Sequence, residues 1–187
     1  MLHRRNFLTA AAAALAGAAL PSITLADEKC TATSSATKGP YWRPDAPFTT
    51  DLTRAGGEVI TVHGVVRSAR TCKPVAGALL DVWQADHHGK YDVDYRDKDV
   101  FGRARIRSGS DGTFSFRTVR PGPYGSPGFT RPAHIHFVLS AQGHRSLVTQ
   151  LYFEGDRYLD KDPLRDVHPD LIGRIRNGRC SFDVFLG

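Results

Sequence analysis

Two histidines and an arginine share one short apolar segment, RPAHIHF, at positions 131–137. Successive side chains of a β-strand point to opposite faces, so His134 and His136 would share one face and Ile135 would point to the other. Two imidazoles on one face can bind a single metal ion. A His-x-His pair alone is weak evidence, because two buried histidines bonded to the backbone give the same pattern. Arg131, just upstream, would be unfavourable near the start of a strand unless it faced a negative charge.

Two tyrosines stand in segments that could approach this pair. Tyr124 precedes His134 by ten residues, in a stretch rich in proline and glycine. Tyr91 follows the sequence DHHGK, which is typical of a loop. Loops at one end of a β-sandwich commonly carry binding and catalytic residues. These positions are therefore candidates for the same site.

The elements that must position these residues are short strands. Apolar residues alternate with polar ones in several segments, no long segment has a helical period, and 18 glycines and 11 prolines indicate many turns. We predict an all-β fold, a β-sandwich with long loops and at most one short helix within 163–178. The predicted strands are 58–66, 78–85, 103–108, 113–119, 133–140, 147–156 and 179–187, and we read 120–132 as a long loop.

The chain begins with a segment typical of export. Arg4 and Arg5 precede an apolar stretch at 7–20, and small residues precede a cut expected after Ala26. The paired arginines favour the twin-arginine route over an ordinary secretory signal, so we expect a periplasmic or extracellular protein. Fourteen apolar residues are too few for a stable membrane span. We divide the chain into a signal at 1–26, an irregular N-terminal arm at 27–57 and a sandwich domain at 58–187.

Charge and cysteine content narrow the partners and the compartment. The net charge is +6 without any lysine-rich run, which does not indicate nucleic-acid binding and modestly favours anionic small molecules. Cys30, Cys72 and Cys180 match no zinc motif. In an exported protein one disulfide is expected, and the sequence leaves the choice of pair open.

Four separated segments together resemble the intradiol ring-cleavage dioxygenases, and most closely the subunits of protocatechuate 3,4-dioxygenase. The resemblance covers about residues 39–160 and implies a prealbumin-like sandwich core. It also implies Fe(III) as cofactor, bound by Tyr91, Tyr124, His134 and His136, with Tyr91 retained through turnover and Tyr124 leaving when substrate arrives. The segments are DVWQADHHGKY, SDGTFSFRTVRPGPY, RPAHIHF and TQLYFEGD.

The resemblance also implies the reaction and three further roles. A catechol-like aromatic would react with O2 and be cleaved between its two hydroxylated carbons, giving a cis,cis-muconate-type diacid. Arg131 would stabilise charge on the activated substrate, Gln150 would line the pocket, and Tyr41 would touch substrate with Trp42 packed behind it. The ligand set is chemically consistent, because a phenol of pKa about 10 binds as phenolate only to a strong Lewis acid such as ferric iron.

A second interpretation belongs to another class of protein. Residues 58–119 also resemble prealbumin-like β-sandwich modules that bind partners without catalysis, and only the four ligands and Arg131 separate the two interpretations. A homo-oligomer is compatible with either. We expect His87 and His88 on a loop surface, Trp83 in the core, and Tyr95 and Tyr152 in packing roles, with Asp92 and Asp94 as solvated loop charges.

Overall fold

The computed structural model describes residues 30–92 and 101–187. The predicted export signal, Asp94 and Tyr95 lie outside these ranges. Within them the chain forms twelve strands and three 3₁₀ turns, Thr53–Ala55, Leu159–Lys161 and Pro169–Leu171, and no α-helix. The strands are β1 Val59–Ser68, β2 Leu79–Gln84, β3 Arg103–Arg107, β4 Thr113–Val119, β5 Tyr124–Ser126, β6 Phe129–Arg131, β7 His134–Ser140, β8 Leu147–Phe153, β9 Ile172–Gly173, β10 Ile175–Arg176, β11 Arg179–Ser181 and β12 Val184–Leu186.

Two five-stranded sheets and one separate ribbon account for all of these strands. One sheet has the order β3-β2-β7-β8-β9. The other is centred on β1, which pairs with β4 on one edge and with β11 and then β12 on the opposite edge. Strands β5 and β6 pair only with each other. The predicted all-β sandwich is confirmed. Nothing in the described part of the chain is a helix long and apolar enough to cross a membrane.

Alternation along the strands separates the core from the outer faces. Strand β1 buries every second residue, as expected for a strand with one face on the core. The buried side chains of the two sheets meet in one apolar cluster, which burial of apolar surface stabilises. In β7 the core-facing residues are Ile135, Phe137 and Leu139. The intervening histidines therefore occupy the opposite face, as predicted.

The last predicted strand is divided in two. β11 and β12 both pair with β1, and the chain kinks between them at Phe182 and Asp183. The Phe182 amide donates to the His63 carbonyl, and the Val65 amide donates to the Asp183 carboxylate. Gly64 lies at this kink, where a Cβ atom would collide with the Phe182 carbonyl. A single strand over 179–187 was therefore wrong.

The segment 120–132 contains a hairpin and is not simply a loop. Tyr124 and Arg131 lie opposite each other in the β5–β6 ribbon. These strands are only three residues long, too short to show alternation in the sequence. The segment 163–178, predicted to hold at most one short helix, contains the single 3₁₀ turn Pro169–Leu171.

The N-terminal arm is fixed to the sandwich covalently and by hydrogen bonds. Cys30 forms a disulfide with Cys72, which settles the pairing, and Cys180 is a buried free thiol. Backbone amides of the arm donate to Phe185 and Val148 carbonyls at the edges of the two sheets. The arm therefore has a defined path across the outer face of β7 and β8.

Candidate active site

The outer face of β7 presents the two histidines under a cover of aromatic side chains. His134 is 2% exposed and His136 is 1% exposed, although neither faces the main core. The cover is a second apolar cluster that includes Trp83, Tyr91 and Tyr41. Trp83 thus packs here, with its ring stacked on His136 at 4.7 Å between centroids. It was expected in the core, and it is buried, but its role is to flank a histidine.

Three polar atoms converge at this face. The Tyr91 hydroxyl lies 3.3 Å from His134 Nε2 and 3.1 Å from His136 Nε2, and the two Nε2 atoms are 3.0 Å apart. Tyr91 reaches them from the loop after β2, which Gly89 turns with φ +80°. A Cβ atom at Gly89 would collide with the Pro123 carbonyl, so the Tyr91 loop and the segment before Tyr124 are in close contact.

Backbone contacts set the orientation of His134. Its Nδ1 donates to the Pro132 carbonyl at 2.6 Å, which leaves the Nε2 lone pair directed at the convergence point. His136 Nδ1 is buried and has no hydrogen-bond partner among the described residues. Burial, together with the nearby Arg131 charge, lowers the pKa of His134 to about 3, and burial and the neighbouring His134 hold the pKa of His136 well below its ordinary value. Both imidazoles are therefore neutral, the form that binds metals.

This geometry fits a metal ion. Ligands about 2.1 Å from one ion lie roughly 3.0–3.4 Å from each other, which is the spacing observed between the three atoms. Burial raises the pKa of Tyr91, and a bound cation of high charge would offset that effect. Within residues 30–92 and 101–187 no three His, Cys, Asp or Glu residues cluster as a metal site. Among the described residues, the oxygen that joins the two imidazole nitrogens at this point is that of Tyr91.

Tyr124 lies beside the cluster and is only half-buried. Its ring centroid is 5.2 Å from that of Tyr91 and 5.6 Å from that of His134. Partial burial raises the pKa of Tyr124, and the charge of Arg131 acts in the opposite direction. The two tyrosines thus differ in burial: Tyr91 is 9% exposed, whereas Tyr124 is half-buried, and both border a cavity.

Arg131 is completely buried behind Tyr124. Its Nε and Nη2 donate to the two Asp162 carboxylate oxygens, each at 2.9 Å, and Nη2 also donates to the Tyr152 hydroxyl at 2.7 Å. The sequence-based expectation that Arg131 faces a negative charge is met by Asp162. Burial alone would lower the pKa of Arg131, but the hydrogen bond to Asp162 raises it above its ordinary value.

Gln150 lies directly opposite His136 in the β7–β8 pairing. Its amide oxygen accepts from the Tyr152 hydroxyl at 2.7 Å, and its amide nitrogen donates to the Thr37 carbonyl at 2.5 Å. Gln150 is fully buried, so it lies beside the cluster under the N-terminal arm.

The sequence analysis assigned neither of two further residues of this network to the site: Tyr152 was expected in a packing role, and Asp162 was not singled out. Tyr152 is two positions after Gln150 on the same strand, so alternation was a usable signal that placed both on one face. Asp162 lies in an irregular segment, and nothing in the local sequence distinguishes it from the surrounding acidic residues.

Tyr41 covers the cluster from the arm. Its ring stacks on that of Tyr91, with 4.2 Å between centroids and 14° between planes. Trp42 packs in the same apolar cluster, its indole nitrogen donates to Asp81, and the Lys38 ammonium lies 3.4 Å from its ring centroid. The arm therefore contributes one wall of the site.

A cavity of about 760 Å³ opens in front of Tyr91 and Tyr124. This volume is in the range of pockets that hold drug-sized ligands. Two large apolar side chains line it while remaining well exposed, Phe129 at 45% and Leu164 at 39%. The lining residues are Thr37, Gly39, Pro40, Tyr41, Gly89, Lys90, Tyr91, Tyr124, Gly125, Ser126, Phe129 and Leu164. None of them is acidic.

The remaining candidates take ordinary positions. His87 and His88 are exposed in the loop before Tyr91, as predicted. Asp92 was expected to be a solvated loop charge, but it has two partners. Its carboxylate accepts from the Phe101 amide, and its backbone carbonyl accepts from the Arg103 guanidinium.

Comparisons with known proteins identify the family of this chain. The family model described as Dioxygenase matches residues 37–182. A 6-chlorohydroxyquinol 1,2-dioxygenase of Cupriavidus pinatubonensis is 40% identical over 152 residues, which are 71% of this chain and 55% of that protein. An intradiol ring-cleavage dioxygenase of Aspergillus niger is 32% identical over 161 residues, 75% of this chain and 51% of that protein. The chain spans about half the length of these curated relatives.

Solved structures show the same architecture. The 3-chlorocatechol 1,2-dioxygenase of Rhodococcus opacus 1CP has a TM-score of 0.76 and 31% identity, covering 83% of this chain and 72% of that one. The dioxygenase domain of a dioxygenase–carbohydrate-binding protein fusion from Streptomyces sp. SirexAA-E has a TM-score of 0.73 and 38% identity, covering 83% of this chain and 98% of that domain.

Proposed function

This chain belongs to the intradiol ring-cleavage dioxygenase family, and on that premise we propose that it cleaves a catechol-like aromatic between its two hydroxylated carbons. Both atoms of O2 enter the product, a cis,cis-muconate-type diacid, so the reaction balances without an external reductant. The convergence of the Tyr91 hydroxyl with the Nε2 atoms of His134 and His136, beside Tyr124 and a cavity, carries this proposal.

Fe(III) is the proposed cofactor. Tyr91, Tyr124, His134 and His136 would hold it, and when bound it would supply the Lewis acidity that makes a catechol reactive towards O2. Phenolate oxygens suit a trivalent ion because their charge partly neutralises it. The buried, neutral imidazoles and the enclosed Tyr91 support this ligand set.

The chain's own residues would bind and deprotonate the substrate. Tyr91 is enclosed and stacked, which supports its role as the retained ligand. Tyr124 borders the cavity, so its oxygen can turn away and accept one catechol proton. Arg131 stabilises negative charge on the substrate from a fully buried position, where its own charge is poorly screened by water. Tyr41 and Phe129 bound the space for the ring and its substituents.

The cavity supports an aromatic with an apolar substituent as substrate. Phe129 and Leu164 offer apolar surface at its mouth, and among the described lining residues none is acidic and Lys90 alone is cationic. One dihydroxylated ring would occupy only a fraction of this volume.

We also propose that the protein works in an oxidising compartment outside the cytoplasm. The Cys30–Cys72 disulfide supports this location, because such bonds persist in exported proteins. The division into signal, arm and sandwich domain, and assembly into a homo-oligomer, are part of the same proposal.

Oxygen uptake by the iron-loaded protein, measured with a panel of catechols, tests the function. We expect one O2 consumed per substrate and absorbance from a conjugated diacid. Iron-loaded protein that consumes no oxygen with any member of the panel would contradict the proposal and favour the non-catalytic sandwich module.

A further inference from the structure

Arg131 is held in place by Asp162 and Tyr152. Its side chain is fully buried, and the Asp162 side chain is 1% exposed. The carboxylate pairs with Nε and Nη2 in the two-point geometry that suits the planar guanidinium. This pairing occupies the Nε–Nη2 edge of the guanidinium. Because the group is planar, it also fixes the plane in which Nη1 lies.

The third nitrogen is the one left available. Nη1 is buried, and among the described residues it has no hydrogen-bond partner. A buried donor without a partner is costly, so its position calls for a ligand or another explanation. Arg131 is the direct cross-strand neighbour of Tyr124, whose ring centroid lies 5.6 Å from that of His134, so the guanidinium lies next to the proposed metal ligands.

Tyr152 completes the frame around Arg131. Its hydroxyl accepts from Nη2 and donates to Gln150, whose amide in turn donates to the Thr37 carbonyl. The donor of each of these hydrogen bonds is defined, so the Tyr152 hydroxyl and the Gln150 amide each have a single orientation. The series runs from the arginine to the N-terminal arm.

A second connection reaches the arm at the same residue. The Thr37 amide donates to Asp166 at 2.9 Å, and the Asp166 carboxylate is 3.7 Å from Arg131 Nη2. The backbone of Thr37 is therefore tied to the arginine on both its carbonyl and amide sides. The position of the N-terminal arm is therefore coupled to that of the Arg131 guanidinium.

We propose that Asp162, with Tyr152, is the positioning residue of this site: it binds Nε and Nη2 of Arg131 and so directs Nη1 at the negative charge of the bound catechol. This inference rests on the proposed function, because it concerns the same substrate. Asp162 itself does not touch the substrate.

The test compares Asp162→Asn and Tyr152→Phe with the wild type and with Asp160→Asn, all loaded with iron. Asp160 is an exposed carboxylate two positions away and serves as the matched control. An anaerobic catechol titration followed by absorbance gives the substrate Kd, and mixing the complex with O2 gives the rate of its decay. We expect the O2 reaction of Asp162→Asn to slow about 100-fold, as for misplaced reacting groups, and that of Tyr152→Phe about tenfold. The colour and the Kd should change far less.

A double-mutant cycle separates positioning from a general loss of packing. In an Arg131→Leu background, Asp162→Asn should cause no further slowing of the O2 reaction, because the group that it positions is gone. Equal slowing in both backgrounds would overturn the proposal, and so would a wild-type rate in Asp162→Asn.

If Asp162→Asn does not fold, a wild-type rate in Tyr152→Phe would overturn it instead. A wild-type protein that cleaves no catechol would contradict the proposed function, whereas cleavage by the wild type at a rate shared by Asp162→Asn would contradict this inference alone.

Discussion

Tyr124 and Arg131 are direct cross-strand neighbours, although six residues separate them in the chain. The β5–β6 ribbon pairs them, and Gly125 makes the ribbon possible because its φ is +134° and a Cβ atom there would meet the Phe129 carbonyl. The phenol that would leave the metal and the cation that would stabilise the substrate are thus positioned by one hairpin. A change in the ribbon would affect both functions.

The two tyrosines should respond differently to loss of the hydroxyl. Tyr91→Phe removes a proposed ligand oxygen, so we expect iron affinity to fall by more than the roughly 10–100-fold found for loss of a residue that only supports a ligand. Tyr124→Phe should retain more iron but react about 100-fold more slowly, because the proton acceptor is missing. Iron content and the phenolate-to-iron absorbance measure the first effect, and oxygen uptake measures the second. Equal iron loss in both variants would contradict the assignment.

Arg131→Leu should separate metal binding from turnover. The imidazoles and Tyr91 keep their contacts, so the colour of the iron protein should remain, while oxygen uptake should fall about 100-fold or more through loss of the buried cation. Arg179→Leu, an exposed position on β11, is the control for removal of an arginine. Full activity in Arg131→Leu would refute a role for this residue in charge stabilisation.

Phe129→Ser should change substrate preference. Removing an apolar wall at the cavity mouth should raise the KM for catechols with a bulky alkyl substituent about tenfold, since burial of one such side chain is worth roughly 1.5–3 kcal/mol. The KM for unsubstituted catechol should stay near the wild-type value. Steady-state oxygen uptake with both substrates is the measurement, and an equal change in the two KM values would show that Phe129 does not select the substituent.

Acid should weaken the fold through Asp162. Burial by itself would raise the pKa of this carboxyl, but hydrogen bonds and the charge of Arg131 outweigh burial and lower the pKa below its ordinary value. The unfolded chain then binds a proton more readily, so the stabilisation is complete above about pH 4 and is lost as the pH falls through the folded-state pKa. Denaturant titrations should show the stability difference between wild type and Asp162→Asn shrinking below pH 4. A difference that stays constant from pH 7 to pH 2 would rule out this ion pair as its source.

The disulfide should stabilise the fold and the arm together. It joins residues 42 positions apart, so Cys30→Ser should lower the free energy of unfolding by about 2–4 kcal/mol. Because the arm carries Tyr41, the KM for catechol should also rise. Thermal or denaturant unfolding of the variant and of reduced wild type checks the first effect. Unchanged stability would mean that the remaining hydrogen bonds suffice to hold the arm.

The alternation of apolar and polar residues predicted the sandwich and the face that carries the histidines. It did not predict contacts between segments that are distant in the sequence. Alternation along β7 was enough to place His134 and His136 together, whereas the pairing of Tyr91 and Tyr124 with them came from family resemblance. Asp162 could not be found, because its contact with Arg131 depends on the path of an irregular segment 31 residues away. The disulfide was open for a similar reason: three cysteines and their spacing do not specify which two are adjacent in space.

The N-terminal arm is anchored by a covalent bond at Cys30, by backbone hydrogen bonds to both sheets and by the two-sided contacts of Thr37, and it then lays Tyr41 over Tyr91. A wall fixed in this way loses its conformational entropy once, when the protein folds. Each arriving aromatic molecule therefore meets a preorganised surface, and none of its binding free energy is consumed in ordering the backbone that receives it.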